Sequence, residues 1–345
     1  MMNKIDYIIE LAKKNPKKIV LPEANDDRIL EAAKEIKNQR IADVILLNHK
    51  AEAKLRKDFS GNLIVPAEHP KRDEMVRAFC GLNKHKGMTE ENAKKILLEN
   101  PLYFAAMMVH LGMADSFVAG ATCPTRDVIR AAMQCLGINR SIGTVFGAFL
   151  IEVENRAYGA DGLFIFADCA VIPLPTARQL VKIAISSGEL LKRLFNTEPR
   201  IAFLTYSSHG SAEGESIDRA REALAEMREK KPDFIADGEL QLDAAIIPDI
   251  QKRKAPGSPL EGKANILVFP SLDAGNITYK AIERLGNARA VGPILLGLNK
   301  PCSDLSRGCD VRDIIAAVAL TSLLQKGTLH FGTVEKFAFY SDSHR

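Results

Sequence analysis

Short apolar runs alternate with longer stretches of helical periodicity along most of the chain. Lys18–Glu23 (KIVLPE) predicts a short buried strand, and Asp26–Asn38 predicts a helix because its apolar positions recur three and four residues apart. Ala42–Leu47 predicts a second strand. Short apolar strands that alternate with helices form βαβ units, so the pattern predicts an α/β protein with a mostly parallel sheet flanked by helices.

The same alternation recurs further along the chain, with a strand followed by a helix each time. It predicts the pairs Phe117–Ala119 and Thr125–Leu136, Ile201–Thr205 and Ser216–Glu229, and Asn265–Phe269 and Thr278–Leu285. The Gly-Asn pair at 275–276 is expected to cap the last of these helices.

Three regions depart from this alternation. His69–Met113 is one long helical region, charged at first and apolar later. Thr144–Val171 predicts two adjacent strands joined by a Tyr-Gly-Ala-Asp-Gly turn, and this change of pattern marks a domain boundary near residue 145. The segment after Lys326 alternates apolar and polar residues and then ends polar. It suits an added strand, a partner-binding segment or a frayed end, of which the last is the simplest.

The composition is that of an ordinary globular protein. The 345 residues suffice for two domains of about 100–200 residues each. Apolar residues make up 46% and charged residues 26%, which excludes a disordered or fibrous chain. Lys and Arg number 47 and Asp and Glu 43, so the net charge of +4 is too small to favour nucleic-acid binding. It suits small anionic substrates held by a few cations.

The cysteines and the apolar runs predict reduced thiols, as in a cytosol, and give no sign of a zinc site or of a membrane span. Six cysteines are present, none pairs in a C-x-x-C unit, and no His cluster has zinc spacing. A chain of this length needs no disulfides, so reduced thiols are expected. The N-terminus lacks an apolar signal core, and no apolar run approaches the ~18 residues of a membrane span.

The segment Gly297–Asp313 (GLNKPCSDLSRGCDVRD) carries the most information about chemistry. It follows an apolar strand, Val291–Leu296, and it ends where an amphipathic helix begins near Ile314. Polar residues at the carboxyl end of a strand and before a helix are where α/β proteins build binding sites. Backbone N–H groups at the start of a helix also favour anions.

This segment, N-K-P-x-x-D-L-S-R-G-C-x-x-x-D-I, resembles the signature of the phosphate acetyl- and butyryltransferase family. Further matches are GMTEENA at 87–93, MADSFVAGATCPTRDVIR at 113–130, YGADGLFIFADCAV at 158–171, TYSSHGSAEGES at 205–216, DGELQLDAA at 237–245 and KAPGSPLEGKANILVFPSLDAGNITYK at 254–280. Ordered matches over so much of the chain are far more specific than a single motif.

The resemblance implies a two-domain α/β fold like that of isocitrate and isopropylmalate dehydrogenases, with an active-site cleft between the domains. Residues 1–145 and 295–345 would form a discontinuous first domain, and residues 146–294 an inserted second domain. It further implies a homodimer with no active-site metal and no tightly bound cofactor, in which acetyl-CoA and phosphate are substrates. The activity implied is reversible acetyl transfer between CoA and phosphate, a step of acetate metabolism.

The resemblance assigns catalytic roles to Ser306, Arg307 and Asp313, and substrate binding to Cys309 and Arg130. Asp313 would take the proton of the CoA thiol, whose pKa is near ~8.5 when free. Ser306 would donate to the developing oxyanion, and the two arginines would hold phosphate. A carboxylate with an ordinary pKa near ~4 is a weak base, so burial that raises its pKa would help.

The same residues also have plain structural interpretations. Asp310 and Asp313 are three apart at a helix start, and the segment alone favours a cap and its partner over catalysis, whereas the resemblance reverses this preference. Arg130 alone would be a solvated charge. Cys309 is expected to be structural, and a ping-pong mechanism through acetyl-Cys309 is the minor rival of direct transfer.

The hydroxyls and glycine that follow the strand at 201–205 form a plausible nest for phosphate oxygens, and the resemblance implies that this loop faces the cleft. A plain polar turn is nearly as good an interpretation. The loop residues concerned are Thr205, Tyr206, Ser207, Ser208, Gly210 and Ser211.

One position departs from the family pattern. The family often carries an arginine before the K-x-K-G unit, where it contacts the anionic cofactor, and Asn83 stands there in this chain. Lys84 or Lys86 could supply charge without the bidentate fork of arginine. We therefore expect weaker CoA binding with the acetyl chemistry intact.

Three alternative functions differ in kind from acetyl transfer or in substrate. Phosphate butyryltransferase would perform the same chemistry on a longer acyl chain, which pocket volume decides. A non-catalytic acetyl-CoA-binding module is disfavoured because Ser306, Arg307 and Asp313 are all present. A nicotinamide-dependent dehydrogenase is disfavoured because no G-x-G-x-x-G follows the first strand.

Overall fold

The computed structural model describes residues 3–48, 57–59, 61–231 and 233–325, and its described strands form one mixed sheet. In spatial order these strands are β3-β2-β1-β4-β11-β10-β5-β6-β9-β7-β8. Their bounds are β1 Lys18–Leu21, β2 Asp43–Leu47, β3 Leu63–Ile64, β4 Ser116–Ala119, β5 Phe146–Glu152, β6 Leu163–Ala167, β7 Arg200–Leu204, β8 Ile235–Leu240, β9 Ile266–Val268, β10 Arg289–Leu296 and β11 Cys302–Asp304.

Helices cover both faces of this sheet, as βαβ connections require. Their bounds are α1 Lys4–Lys13, α2 Asp27–Asn38, α3 Arg72–Leu82, α4 Glu90–Glu99, α5 Pro101–His110, α6 Thr125–Leu136, α7 Ala177–Phe195, α8 Glu215–Lys230, α9 Leu242–Ile246, α10 Pro248–Lys254, α11 Leu272–Leu285 and α12 Val311–Leu323, with short 3₁₀ helices at Pro66–Glu68 and Lys84–Lys86. The predicted α/β class, with a mostly parallel sheet flanked by helices, is confirmed.

The sheet contains two parallel sets of strands that run in opposite directions. Strand β10 pairs antiparallel with β11 and with β5, and β5 pairs antiparallel with β6. The remaining described pairs are parallel. Because three reversals separate the sets, the carboxyl ends of β1, β4 and β11 and those of β6, β7 and β9 lie at opposite edges of the sheet.

The central helix α12 is buried along almost its whole length and carries few polar residues. Its buried side chains run from Ile314 to Leu323, and the helix packs against α1, α2 and strands of the sheet. This explains why the segment after Asp313 is apolar on more than one face, which an amphipathic surface helix would not be. Burial of this helix fixes the position of the loop that precedes it.

The predicted strands and helices are present with shifted ends, but four features differ. Strand β11 lies inside the segment expected to be a polar loop, and the helix after Asp313 is buried and not amphipathic as predicted. The other two differences concern the long helical region and a helix cap. The helical region His69–Met113 is divided into α3, α4 and α5, because Gly87 adopts φ +75° and Pro101 begins a new helix after the Asn100 cap. The expected cap at 275–276 is wrong: Ser271 caps α11, and Gly275 lies inside the helix. A Cβ at Gly275 would lie 2.3 Å from the Asp168 carbonyl oxygen, so the glycine permits close packing rather than a helix end.

The structure leaves two kinds of prediction untested, those on the C-terminal segment and those on the domain boundaries. The segment after Lys326 lies outside the described residues. The boundary predicted near 145 lies at the start of β5, whereas the one near 295 lies within β10, and the division into two domains stays a prediction. Within the described residues, no helix is both long enough and apolar enough to cross a membrane.

Candidate active site

A cavity of about 520 Å³ lies among the loops that follow β4 and β11, the helix α11, and residues 169–170 after β6. We call it the central cavity. Three cations from three different elements line it: Arg126 at the start of α6, Lys280 on α11 and Arg307 after β11. Ser306, Thr125 and Asp304 supply hydroxyl and carboxyl groups in the same wall. A cationic cavity with a few polar groups suits small anionic ligands.

Arg28 fixes the loop that carries Ser306 and Arg307. Its Nη1 donates to the carbonyl oxygens of Arg307 at 2.9 Å and Cys309 at 2.7 Å, and its Nη2 donates to that of Ala121 at 2.9 Å. Asp26 accepts two further hydrogen bonds from the same guanidinium. Arg28 therefore ties the loops after β1, β4 and β11 together through their backbones, which leaves side chains of these loops free to line the cavity.

Glu23 performs a similar task for the loop after β4. Its carboxylate accepts the backbone N–H groups of Gly120, Ala121 and Thr122 at 2.8–2.9 Å and the Thr122 hydroxyl at 2.7 Å. Sequence reasoning missed both Arg28 and Glu23. The available signal was their charge, because Glu23 lies two residues after the first apolar strand and Arg28 lies in the first turn of the next helix, where α/β proteins build sites.

Asp313 lies on a small recess that adjoins the central cavity. The recess and the central cavity share Ser306 and Tyr279 in their walls. Burial raises the pKa of Asp313, and the negative charge of Asp310 adds to this, while the N–H of Asp310 and the Arg284 guanidinium act in the opposite direction. The structure thus places the predicted acid beside the predicted serine.

Asp313 also takes part in a helix cap, as the segment alone suggested. Asp310 is the N-cap of α12 and accepts the Asp313 N–H at 2.9 Å, while an Asp313 carboxyl oxygen accepts the Asp310 N–H at 2.9 Å. This reciprocal pair is a capping box. It holds the Asp313 side chain in one orientation at the recess, so the structural and the catalytic interpretations are compatible.

Cys309 is buried beside Arg28 and lines the recess but not the central cavity. Burial raises the pKa of its thiol to about 11, against the attraction of the Arg28 guanidinium. A neutral thiol at neutral pH is a poor nucleophile.

The loop 205–211, predicted to bind substrate, does not line either cavity. It follows β7, whose carboxyl end lies at the sheet edge opposite to that of β11. Glu239 on β8 accepts the Gly210 N–H at 2.7 Å and the Ser207 hydroxyl at 3.1 Å. The other loop hydroxyls, those of Thr205, Tyr206, Ser208 and Ser211, also bond to neighbouring groups of the chain.

Arg130 and Asn83 also lie away from the central cavity. Arg130 is exposed on α6 and forms an ion pair of 3.5 Å with Asp127. Asn83 is buried, and its amide donates to the carbonyl oxygens of Phe79 and Gln134 at 3.1 and 3.2 Å. Asn83 therefore closes the end of α3 against α6, and nothing in its position supports the expected effect on CoA binding.

A larger cavity of about 1180 Å³ lies at the carboxyl ends of β1, β2 and β4. Among the described residues, the charged groups in its lining are Lys34 and six carboxylates, namely Glu23, Asp27, Glu31, Asp58, Glu99 and Asp127. Such a lining repels anions. The smaller central cavity is therefore the better site for an anionic substrate.

A mostly parallel α/β sheet with a cationic cavity at strand ends defines a class of proteins that act on small anionic ligands. The family model for phosphate acetyl/butaryl transferase matches residues 4–322. The phosphate acetyltransferase of Thermoanaerobacterium thermosaccharolyticum is 43% identical over 326 residues, which cover 93% of this chain and 99% of that protein. That of Treponema pallidum is 45% identical over 321 residues, which cover 90% and 95%.

Solved structures agree with these sequence matches. A phosphotransacetylase from Streptococcus pyogenes superposes with a TM-score of 0.84 at 38% identity and covers 93% of this chain and 97% of its own. The chain belongs to the phosphate acetyl/butaryl transferase family.

Proposed function

We propose that this chain is a phosphate acetyltransferase, an acyltransferase that moves acetyl reversibly between CoA and phosphate. The observation that carries the proposal is the central cavity, where Arg126, Lys280 and Arg307 surround Ser306 in the segment that resembles the family signature. Relatives named phosphate acetyltransferase match over nine-tenths of the chain. The cations account for an anionic substrate, and the serine accounts for a carbonyl at which negative charge develops.

The chemistry requires one bond to form and one to break at the acetyl carbonyl carbon. In the direction of acetyl-CoA synthesis, the CoA sulfur attacks this carbon and the bond to the phosphate oxygen breaks. The thiol proton leaves the sulfur, and the departing phosphate gains a proton. The Arg307 and Lys280 side chains stabilise the departing anion, and the Ser306 hydroxyl donates to the oxyanion formed on the carbonyl.

Asp313 is the proposed base for the thiol. Its raised pKa brings the carboxylate nearer to the thiol in basicity, which an ordinary carboxylate would not achieve. The capping box fixes one carboxyl oxygen and so orients the other for proton transfer. Because a bound thiol and acetyl phosphate meet without a covalent enzyme intermediate, positioning supplies much of the rate enhancement.

Substrate binding by Arg130 and by the loop 205–211 is retained as a proposal that rests on the resemblance alone. The geometry favours Arg126 and Lys280 as the cations that complete the central cavity, since both line it with Arg307. Substituting either would weaken phosphate binding more than substituting Arg130.

We also propose a homodimer in a reducing, cytoplasmic compartment. All six cysteines are free, as is usual where thiols are kept reduced. Helix α11 buries only Gly275 and Tyr279, and its Ile277 and Leu285 are 66% and 87% exposed. A second copy of the chain would cover these side chains. Light scattering of Leu285→Glu beside the unaltered protein tests this, and an unchanged mass would contradict it.

The activity is tested by phosphate-dependent release of the CoA thiol from acetyl-CoA. We expect Arg307→Ala to lower kcat/KM by about 10²-fold, the effect of losing one charge-stabilising group. Arg312→Ala is the matched control, since Arg312 lies five residues further along the chain and its side chain is 86% exposed. Release that does not depend on phosphate, or equal losses in both variants, would contradict the proposal. Running butyryl-CoA in parallel measures the preferred acyl length.

A further inference from the structure

Asp304 is a buried carboxyl group with almost no hydrogen-bond partners. It is 1% exposed, its Oδ2 accepts the Thr125 hydroxyl at 2.5 Å, and its Oδ1 has no partner among the described residues. Two other buried carboxylates near the central cavity differ. Glu23 accepts three backbone N–H groups and a hydroxyl, and Asp168 accepts four backbone N–H groups. An ionised Asp304 would therefore have fewer hydrogen-bond donors to stabilise its charge than Glu23 or Asp168 has.

The backbone of Gly120 packs against the unpartnered oxygen. A Cβ on Gly120 would lie 2.3 Å from Asp304 Oδ1, so a residue with a side chain does not fit beside that oxygen. A buried carboxylate oxygen without a partner is costly, and the carbonyl oxygen of a neutral acid is much less so. Burial, reinforced by the nearby Glu23 charge, raises the pKa of Asp304 to about 7, although the Thr125 hydroxyl and the Leu305 N–H act in the opposite direction. The Leu305 N–H donates its hydrogen bond to the Ala119 carbonyl oxygen and not to Asp304.

Thr125 connects this carboxyl group to the central cavity, whose wall both residues share. A hydroxyl has one proton to donate and can also accept. When Asp304 is ionised, the Thr125 hydroxyl must donate to it and presents only lone pairs to the cavity. When Asp304 is protonated, the acid donates to Thr125 Oγ1, and the Thr125 proton can point into the cavity.

The other charged and titratable groups near Asp304 do not replace it in this role. Glu23 lies behind Gly120 with its oxygens already bonded, and burial raises the pKa of the Cys123 and Cys302 thiols, which stay neutral. The cations that line the same cavity as Asp304 are Arg126, Lys280 and Arg307.

We propose that Asp304 is a positioning residue that turns the Thr125 hydroxyl toward a phosphate oxygen of the bound substrate. This rests on the proposed function only in taking phosphate as the ligand. Binding of the anion favours the protonated acid, so a proton is taken up from solvent on binding and returned on release. No other bond is made or broken by the pair.

The test measures the affinity of inorganic phosphate by calorimetry from pH 6 to pH 9. In Asp304→Asn the amide N–H₂ donates permanently to Thr125, as the protonated acid does. We divide the phosphate Kd of the unaltered protein by the phosphate Kd of Asp304→Asn. The titration of phosphate itself affects both values equally and cancels in this ratio. We expect this ratio to be near one at pH 6 and about tenfold higher at pH 8, one unit above the pKa of Asp304.

Thr125 variants give a second measurement that leaves the buried acid in place. We expect Thr125→Val to weaken phosphate binding about tenfold at pH 6, and Thr125→Ser to restore it. A ratio for Asp304→Asn that stays flat with pH, or unaltered binding by folded Thr125→Val, would overturn the inference. If phosphate binding behaves as expected but no variant and no unaltered protein releases CoA, the proposed function fails while the Asp304–Thr125 pair stands.

Discussion

Two polar loops that follow strands, 205–212 and 304–310, have similar compositions and opposite roles in the structure. In the first, a buried carboxylate on the adjacent strand, Glu239, binds a serine hydroxyl and a backbone N–H. In the second, a guanidinium, Arg28, binds backbone carbonyl oxygens. The hydroxyls of the first loop are already bonded to other groups of the chain. A loop whose backbone is held keeps its side chains for the cavity.

What a polar loop does in this structure therefore depends more on the side chain that binds it, Glu239 or Arg28, than on the residues of the loop itself. The hydroxyls and glycine of the first loop predicted a phosphate nest, and the resemblance assigned catalytic roles to Ser306 and Arg307 in the second. Of these two loops, only the one at 304–310 lines the central cavity. The following variants are ordered from the largest expected effect to the smallest, and each alters one side of this contrast.

Asp313→Asn, at the start of the helix that follows the second loop, removes the proposed base and keeps the helix cap. An asparagine keeps an acceptor for the Asp310 N–H but is no base, so we expect turnover to fall about 10²–10⁴-fold with stability nearly unchanged. Steady-state release of CoA thiol and thermal unfolding measure the two effects.

Asp310→Ala is its matched control, because it removes the N-cap and keeps the base. We expect a loss of about 1 kcal/mol in the free energy of unfolding and turnover within a few-fold of the unaltered protein. Equal turnover losses in both variants would mean that Asp313 acts only through the helix start.

Arg28→Ala removes the guanidinium that holds the second loop. Three backbone carbonyl oxygens lose a charged donor, so we expect a loss of about 3 kcal/mol in stability and about 10²-fold in turnover. Arg77→Ala on the exposed face of α3 controls for loss of charge. Turnover that survives in Arg28→Ala, measured well below its melting temperature, would show that the loop keeps its shape without this contact.

Glu239→Gln removes the carboxylate charge that binds the loop 205–212. Although burial opposes it, hydrogen bonds from Arg221, Gly210 and Ser207 lower the pKa of Glu239 from 4.5 to about 2. A lowered folded-state pKa stabilises the fold above pH 4.5, and this contribution is lost as the pH falls toward 2. We expect Glu239→Gln to cost about 2 kcal/mol at pH 7 and much less near pH 3, by denaturant unfolding.

Turnover distinguishes the two interpretations of this loop. If residues 205–211 only stabilise the fold, as their hydrogen bonds suggest, Glu239→Gln changes turnover little. A rise in the KM for phosphate or CoA without loss of stability would instead support the substrate-binding role that the family resemblance implies. Ser306→Ala, in the other loop, serves as the comparison for a residue at the cavity.

The sequence predicted the α/β class and the family because both follow from local patterns: apolar runs, helical spacing and ordered motifs. It also predicted that Ser306, Arg307 and Asp313 belong together, since they are close along one segment. It could not predict Arg28, Glu23 or Lys280, whose positions depend on contacts between residues up to about 280 positions apart. Nor could it show that Glu239 accepts the Ser207 hydroxyl and the Gly210 N–H of the first loop, because these contacts join residues from two different strand-loop segments.

Cys309→Ala should have the smallest effect of these variants. Cys309 is in the held loop, but its carbonyl oxygen and not its thiol carries the main contact with Arg28. Its raised pKa of about 11 keeps the thiol neutral at pH 7, so it is poorly suited to form an acetyl intermediate. We therefore expect turnover within about threefold of the unaltered protein, a modest packing effect. Loss of turnover by several orders of magnitude, with ping-pong kinetics in the unaltered protein, would establish the covalent route and displace direct attack.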